Sequence, residues 1–110
     1  MKLDHVSVGV TDWSLVTASE EQSEGSLATV RALQLGDIQL RLVEFSPGFR
    51  TGRWCPKGHI IIVLSGKLTI EHQDGRQYGV SEGMTYYVAD DAGSPHRAFS
   101  DEGAKFFIVD

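Results

Sequence analysis

The chain reads as an all-β domain, a sandwich or small barrel closed to hide its strand edges. Three features of the sequence predict this. Apolar residues fall in short runs of strand length, roughly nine of them by period and boundary. Glycine-, proline- and aspartate-rich turns separate these runs, and no amphipathic segment is long enough for a standard helix. Closure into a barrel or sandwich is how such a set of strands avoids leaving open edges.

Asp4 to Val10 alternates weakly and predicts an edge strand. Thr11-Asp12-Trp13-Ser14 predicts a turn, with a short helical turn capped by Thr11 or Asp12. Thr17 to Gly25 is polar and acidic and reads as a solvated surface loop. Leu27 to Leu35 and Ile38 to Ser46 flank Gly36-Asp37, a two-residue hairpin signal. In the second of these runs Ile38, Leu40 and Leu42 share one face and Gln39, Arg41 and Val43 the other, and one of the two faces is core. If the second face turns inward, Arg41 and Gln39 supply polar groups to a pocket. Pro47-Gly48 turns into the next segment.

His59 to Leu64 is a strand of β-branched apolar residues stopped by Ser65-Gly66. His59, Ile61 and Val63 share a face, and extended backbone points Cys55 the same way. Lys67 to His72 alternates about Leu68 and Ile70, Gln73 to Arg76 makes a hairpin turn, and Gln77 to Val80 returns. A turn at Ser81 to Gly83 precedes the strand Met84 to Val88, and Asp90 to Ser94 forms a polar loop. His96 to Phe99, a turn at Ser100 to Gly103, and Lys105 to Val109 close the chain.

With 110 residues the chain has the size of one domain, spanning 1–110. Hydrophobic residues at 41% and charged residues at 23% fit a folded globular protein. The longest unbroken apolar run, Ile60 to Leu64, is far short of the roughly 20 residues that cross a bilayer, so no membrane partner is expected. The N-terminal Met-Lys-Leu-Asp-His lacks a secretory pattern, which makes the expected location cytoplasmic. A formal charge of −5 with scattered Lys and Arg argues against nucleic acid. One cysteine permits no internal disulfide, leaving Cys55 as a free thiol, a ligand or an intermolecular contact.

The spacing Arg53-x-Cys55-x3-His59-x6-Gly66 resembles the first motif of the cupin superfamily, His-x-His-x3-Glu-x6-Gly. Gly83 through His96 resembles the second motif, Gly-x5-Pro-x-Gly-x2-His, more loosely: Ala89 and Asp91 stand for its Pro and Gly, and His96 falls two residues late. The chain is most similar to small single-domain bacterial cupins that carry Trp-Cys-x-Lys-Gly-His and end in Phe-Ile-Val-Asp. The resemblance implies a cupin-like jelly-roll β-barrel (double-stranded β-helix), a homodimer, and a metal site inside the barrel. Carried over by position, Arg53 and Cys55 replace the two histidines, His59 replaces the glutamate, and His96 keeps the last histidine.

One thiolate and two neutral imidazoles at Cys55, His59 and His96 form a soft ligand set suited to zinc, iron, nickel or copper. Three protein ligands leave one position for water or substrate. Read singly, the same residues are a small buried thiol, a hydrogen-bonded barrel histidine and a rim residue. Arg53 cannot ligate a cation. Turned inward it grips a carboxylate or phosphate, and turned outward it is a solvated surface residue. Tyr86 and Tyr87 point to opposite faces, so one of them, Tyr86 on this reading, can line the cavity and bind a ligand there. Phe106, Phe107 and Ile108 read as closing-strand core and dimer surface, Trp13 and Trp54 as pocket mouth or subunit contact, and His5 and His72 receive no role.

Three functional readings follow. The first is a barrel pocket that binds a divalent transition metal and a small, possibly anionic, organic molecule. The second is a metal-free binding module. The third is an acid–base enzyme of the epimerase kind, in which His59 or His96 moves a proton with help from Tyr86 or Tyr87.

Overall fold

In the computed structural model, which describes residues 3–91 and 93–110, the chain forms eight strands and one 3-10 turn. The strands are β1 (Ser19–Ser23), β2 (Ser26–Leu35), β3 (Ile38–Phe45), β4 (His59–His72), β5 (Gln77–Ser81), β6 (Thr85–Val88), β7 (His96–Phe99) and β8 (Ala104–Val109). All pairings are antiparallel. The order β1-β2-β3-β8 leads to the first half of β4, whose other edge takes β6. The second half of β4 lies between β5 and β7 and forms the opposing sheet. This is the jelly-roll arrangement, all-β as expected.

The long β4 replaces two expected strands. Ser65-Gly66 does not stop the chain, because Gly66 takes a positive φ of 77° and the ladder to β8 slips between Val63 and Ser65. The bulge reverses the inward parity, from His59, Ile61 and Val63 to Leu68, Ile70 and His72. A side chain at Gly66 would collide with the Gly103 carbonyl across the ladder. One strand thereby serves both sheets.

Two local expectations fail. Asp4 to Val10 pairs with no strand among the described residues, and Val8 and Val10 stand fully exposed. Alternation alone makes no strand without an edge to bond to. Conversely, the segment read as a solvated loop contains β1, joined to β2 by Glu24-Gly25 with both residues at positive φ. The hairpin at Gly36-Asp37 and the Asp12-capped turn at Trp13–Leu15 are as expected. Met1 and Lys2, on which the N-terminal reading partly rests, and Ala92 of the expected polar loop lie outside the described residues.

Between the sheets sit Phe45, Phe49, Ile61, Val63, Leu68 and Phe106. The Phe45 ring lies 4.5 Å from Phe49 and 4.9 Å from Phe106, centre to centre. On the outer face Trp13 packs edge-on against Phe107 at 5.9 Å. Ile60, Ile62, Leu64 and Tyr87 on that same side remain exposed. No helix among the described residues is long and apolar enough to cross a membrane.

Candidate metal centre and cavity

The link between β3 and β4 is tied to β7, and this brings the ends of the site together. Cys55 and His96 exchange both backbone bonds, N to O at 2.7 and 3.0 Å. Thr51 N–H donates to the Ala98 carbonyl at 2.9 Å, and the Thr51 hydroxyl accepts from the Ala98 N–H at 3.0 Å. Four residues after Cys55, His59 opens β4 on its inward face, and its Nε2 lies 3.6 Å from the Cys55 Sγ. The His59 and His96 rings meet edge to face at 4.9 Å. One donor atom from each of Cys55, His59 and His96 lies within 4.8 Å of the others.

Asp110 orients the cluster from behind. Its Oδ2 accepts from His59 Nδ1 at 3.1 Å and from the Arg41 guanidinium at 2.7 Å. A carboxylate on Nδ1 fixes the tautomer that leaves Nε2 with a free lone pair, as metal-bound histidines require. Asp110 is itself held by two backbone bonds to Gln39. The closing Phe-Ile-Val-Asp carries no sequence signal of a role for Asp110, because nothing local joins it to position 59.

The His96 Nε2 is buried and has no hydrogen-bond partner among the described residues. Such an atom is costly unless something binds it. A sulfur and two imidazole nitrogens fit a soft divalent ion with one position left open. Burial, followed by the neighbouring His59 and His72, pushes the His96 pKa down from 6.5 to about 4. Burial also lowers that of His59, partly offset by Asp110. Both imidazoles are therefore neutral and ready to ligate at neutral pH.

The sign of this shift predicts acid lability. Unfolded His96 takes a proton near pH 6.5 and folded His96 only near 4, so its contribution is present above 6.5 and lost as pH falls toward about 4. The unfolding free energy of the metal-free protein, followed through its melting temperature, should fall across that window by up to about 1.4 kcal/mol per pH unit for this one proton. His96→Gln should flatten the slope; an unchanged profile would contradict it.

The cluster opens onto a cavity of about 200 Å³ whose walls include Arg41, Val43, Phe45, Phe106 and Ile108. Arg41 thus turns inward with Val43 and Phe45. Arg53 also borders this cavity but is exposed, which places it at the mouth, between the inward and outward alternatives. Trp54 lies beneath the Arg97 guanidinium at 4.2 Å.

Tyr86 is the inward tyrosine and Tyr87 the outward one, 77% exposed. The Tyr86 hydroxyl is 2.8 Å from His72 Nε2, and His72 Nδ1 donates to the Ser94 carbonyl at 3.0 Å, so the hydroxyl is the donor. This pair borders a second cavity, and the two rings lie 5.7 and 6.3 Å from that of His96, which lines the first. His72, at the hairpin turn as expected, is also a buried residue with two side-chain partners, and its shared parity with Leu68 and Ile70 is the available signal.

No protein-family model matches the chain, and no curated protein matches it in sequence. Solved structures do. The polyketide cyclase RemF from Streptomyces resistomycificus matches with a TM-score of 0.74 and 24% identity, over 94% of this chain and 78% of its own. A sugar phosphate isomerase from a cupin superfamily, from Silicibacter pomeroyi, gives 0.74 and 15% identity over 92% and 74%. A cupin-2 domain containing protein from Shewanella frigidimarina gives 0.59 and 23% identity over 74% and 78%. The chain has the cupin fold. The structures just named include a cyclase and an isomerase, so fold alone does not choose a reaction. In this cupin barrel the choice rests on Cys55, His59, His96 and the cavity beside them.

Proposed function

We propose that the barrel binds a divalent transition metal, zinc, iron, nickel or copper, through Cys55, His59 and His96 and presents it to a small organic anion. The observation that carries this reading is the cluster of Cys55, His59 and His96, with one donor atom from each residue within 4.8 Å of the others, together with the buried His96 Nε2, which has no hydrogen-bond partner among the described residues. A bound ion would supply Lewis-acid polarisation of a ligand oxygen at its open position. The chain's own residues do the rest. Asp110 holds His59 in its ligating tautomer, Arg41 anchors Asp110, and the apolar wall excludes water around the ligand.

Cobalt titration tests the ligand set. Metal-free protein should develop a thiolate-to-cobalt absorption with one equivalent, and Cys55→Ser should lose it. Absence of that band in the unsubstituted protein would remove Cys55 from the set.

The same reading includes a homodimer. The exposed Ile60, Ile62, Leu64 and Tyr87 on the outer sheet face support self-association, since apolar edge-to-face surface of this kind is commonly covered. Light scattering should give twice the 12.1 kDa chain mass. A monomer at micromolar concentration would contradict it.

A further inference from the structure

The cavity beside the cluster limits both the charge and the size of its occupant. Of the Arg41 guanidinium, only one nitrogen is engaged among the described residues, by Asp110, and the buried Nε has no partner. Arg53 at the mouth makes no hydrogen bond or ion pair among the described residues. Arg97, by contrast, is committed to Glu71 and to the Trp54 ring. Two guanidinium groups with spare donors therefore face one space, in which the exposed Glu21 is the acidic side chain lining the wall among the described residues, with Asp110 paired to Arg41 behind it. A carboxylate offers two acceptors in the geometry a guanidinium fork takes. Below them the floor is apolar, built on Val43, Phe45, Phe106 and Ile108. A cavity of roughly 150 Å³ closes around benzene, so one of about 200 Å³ holds an occupant of roughly eight or nine non-hydrogen atoms.

Building on the metal-site reading, we infer that the ligand is a small monocarboxylate with an apolar body, its carboxylate taken by Arg41 and Arg53 and its body seated against Phe45 and Phe106. This names the substrate class and makes Arg53 a specificity residue.

The test is calorimetric titration of the full chain, metal-free and zinc-loaded, with benzoate, benzyl alcohol and 2-naphthoate, with zinc content measured in each sample. Benzoate should bind at least tenfold tighter than the neutral benzyl alcohol and at least tenfold tighter than the larger naphthoate. Arg53→Gln, a change at an exposed position, should weaken benzoate at least fivefold and leave benzyl alcohol unchanged. Equal binding of benzoate and benzyl alcohol, equal binding of naphthoate, or no benzoate binding to either form would overturn the inference. So would benzoate binding confined to the zinc-loaded form and indifferent to Arg53→Gln, since the metal alone would then hold the carboxylate. Benzoate selectivity in a protein that takes up no zinc would leave this inference standing and remove the metal site.

Discussion

His59→Ala is expected to lower zinc affinity by roughly two orders of magnitude. A structural zinc is worth about 10–16 kcal/mol over four ligands, so each ligand carries about 3 kcal/mol. His59 is the right residue to remove because it opens β4 on a continuous ladder to β6 and its ring is held by Asp110. Deleting it leaves the Cys55–His96 backbone bridge, and with it the other two ligands, in place. A chelator-competition titration measures the change. An affinity within threefold of the unsubstituted protein would show that His59 is a hydrogen-bonded barrel residue and no ligand.

Phe106→Ala should be the most destabilising single change in the barrel. Phe106 is 2% exposed and lies between the sheets against Phe45, on the strand that joins β3 to β4. Truncating a phenylalanine of this kind costs about 3–5 kcal/mol, against a total stability of about 5–15 kcal/mol. At this chain length the melting temperature should drop by roughly 12–25 °C. A drop of under about 5 °C, measured by circular dichroism, would mean that the cavity beside Phe106 lets the core collapse around the gap. Phe107→Ala, on the outer face under Trp13, should cost clearly less.

What the sequence made legible follows the range of the interactions concerned. Cys55 and His59 are four residues apart, and strand parity alone puts both on one face. His96 needed a tertiary pairing, which the backbone bridge to Cys55 supplies. Asp110 and Arg41 join the site through the β3–β8 pairing and the C-terminal bonds to Gln39, and no local pattern signals that. β1 was illegible for another reason. Ser-Glu-Glu-Gln-Ser has no apolar residue to alternate, and the strand exists because a Glu24-Gly25 hairpin lays its backbone along β2. The Asp4 to Val10 segment errs the other way, alternating where no edge receives it. At Ser65-Gly66 the sequence reads as a stop, yet the positive φ of glycine serves a bulge within a continuing strand.

The central claim is that Cys55, His59 and His96 hold a transition metal. Its most direct test is elemental analysis of protein purified without a histidine tag, beside the Cys55→Ser and His96→Ala variants. The expected result is near-stoichiometric zinc, iron, nickel or copper in the unsubstituted protein and little in either variant. No metal after reconstitution, or equal metal in all three proteins, would contradict it.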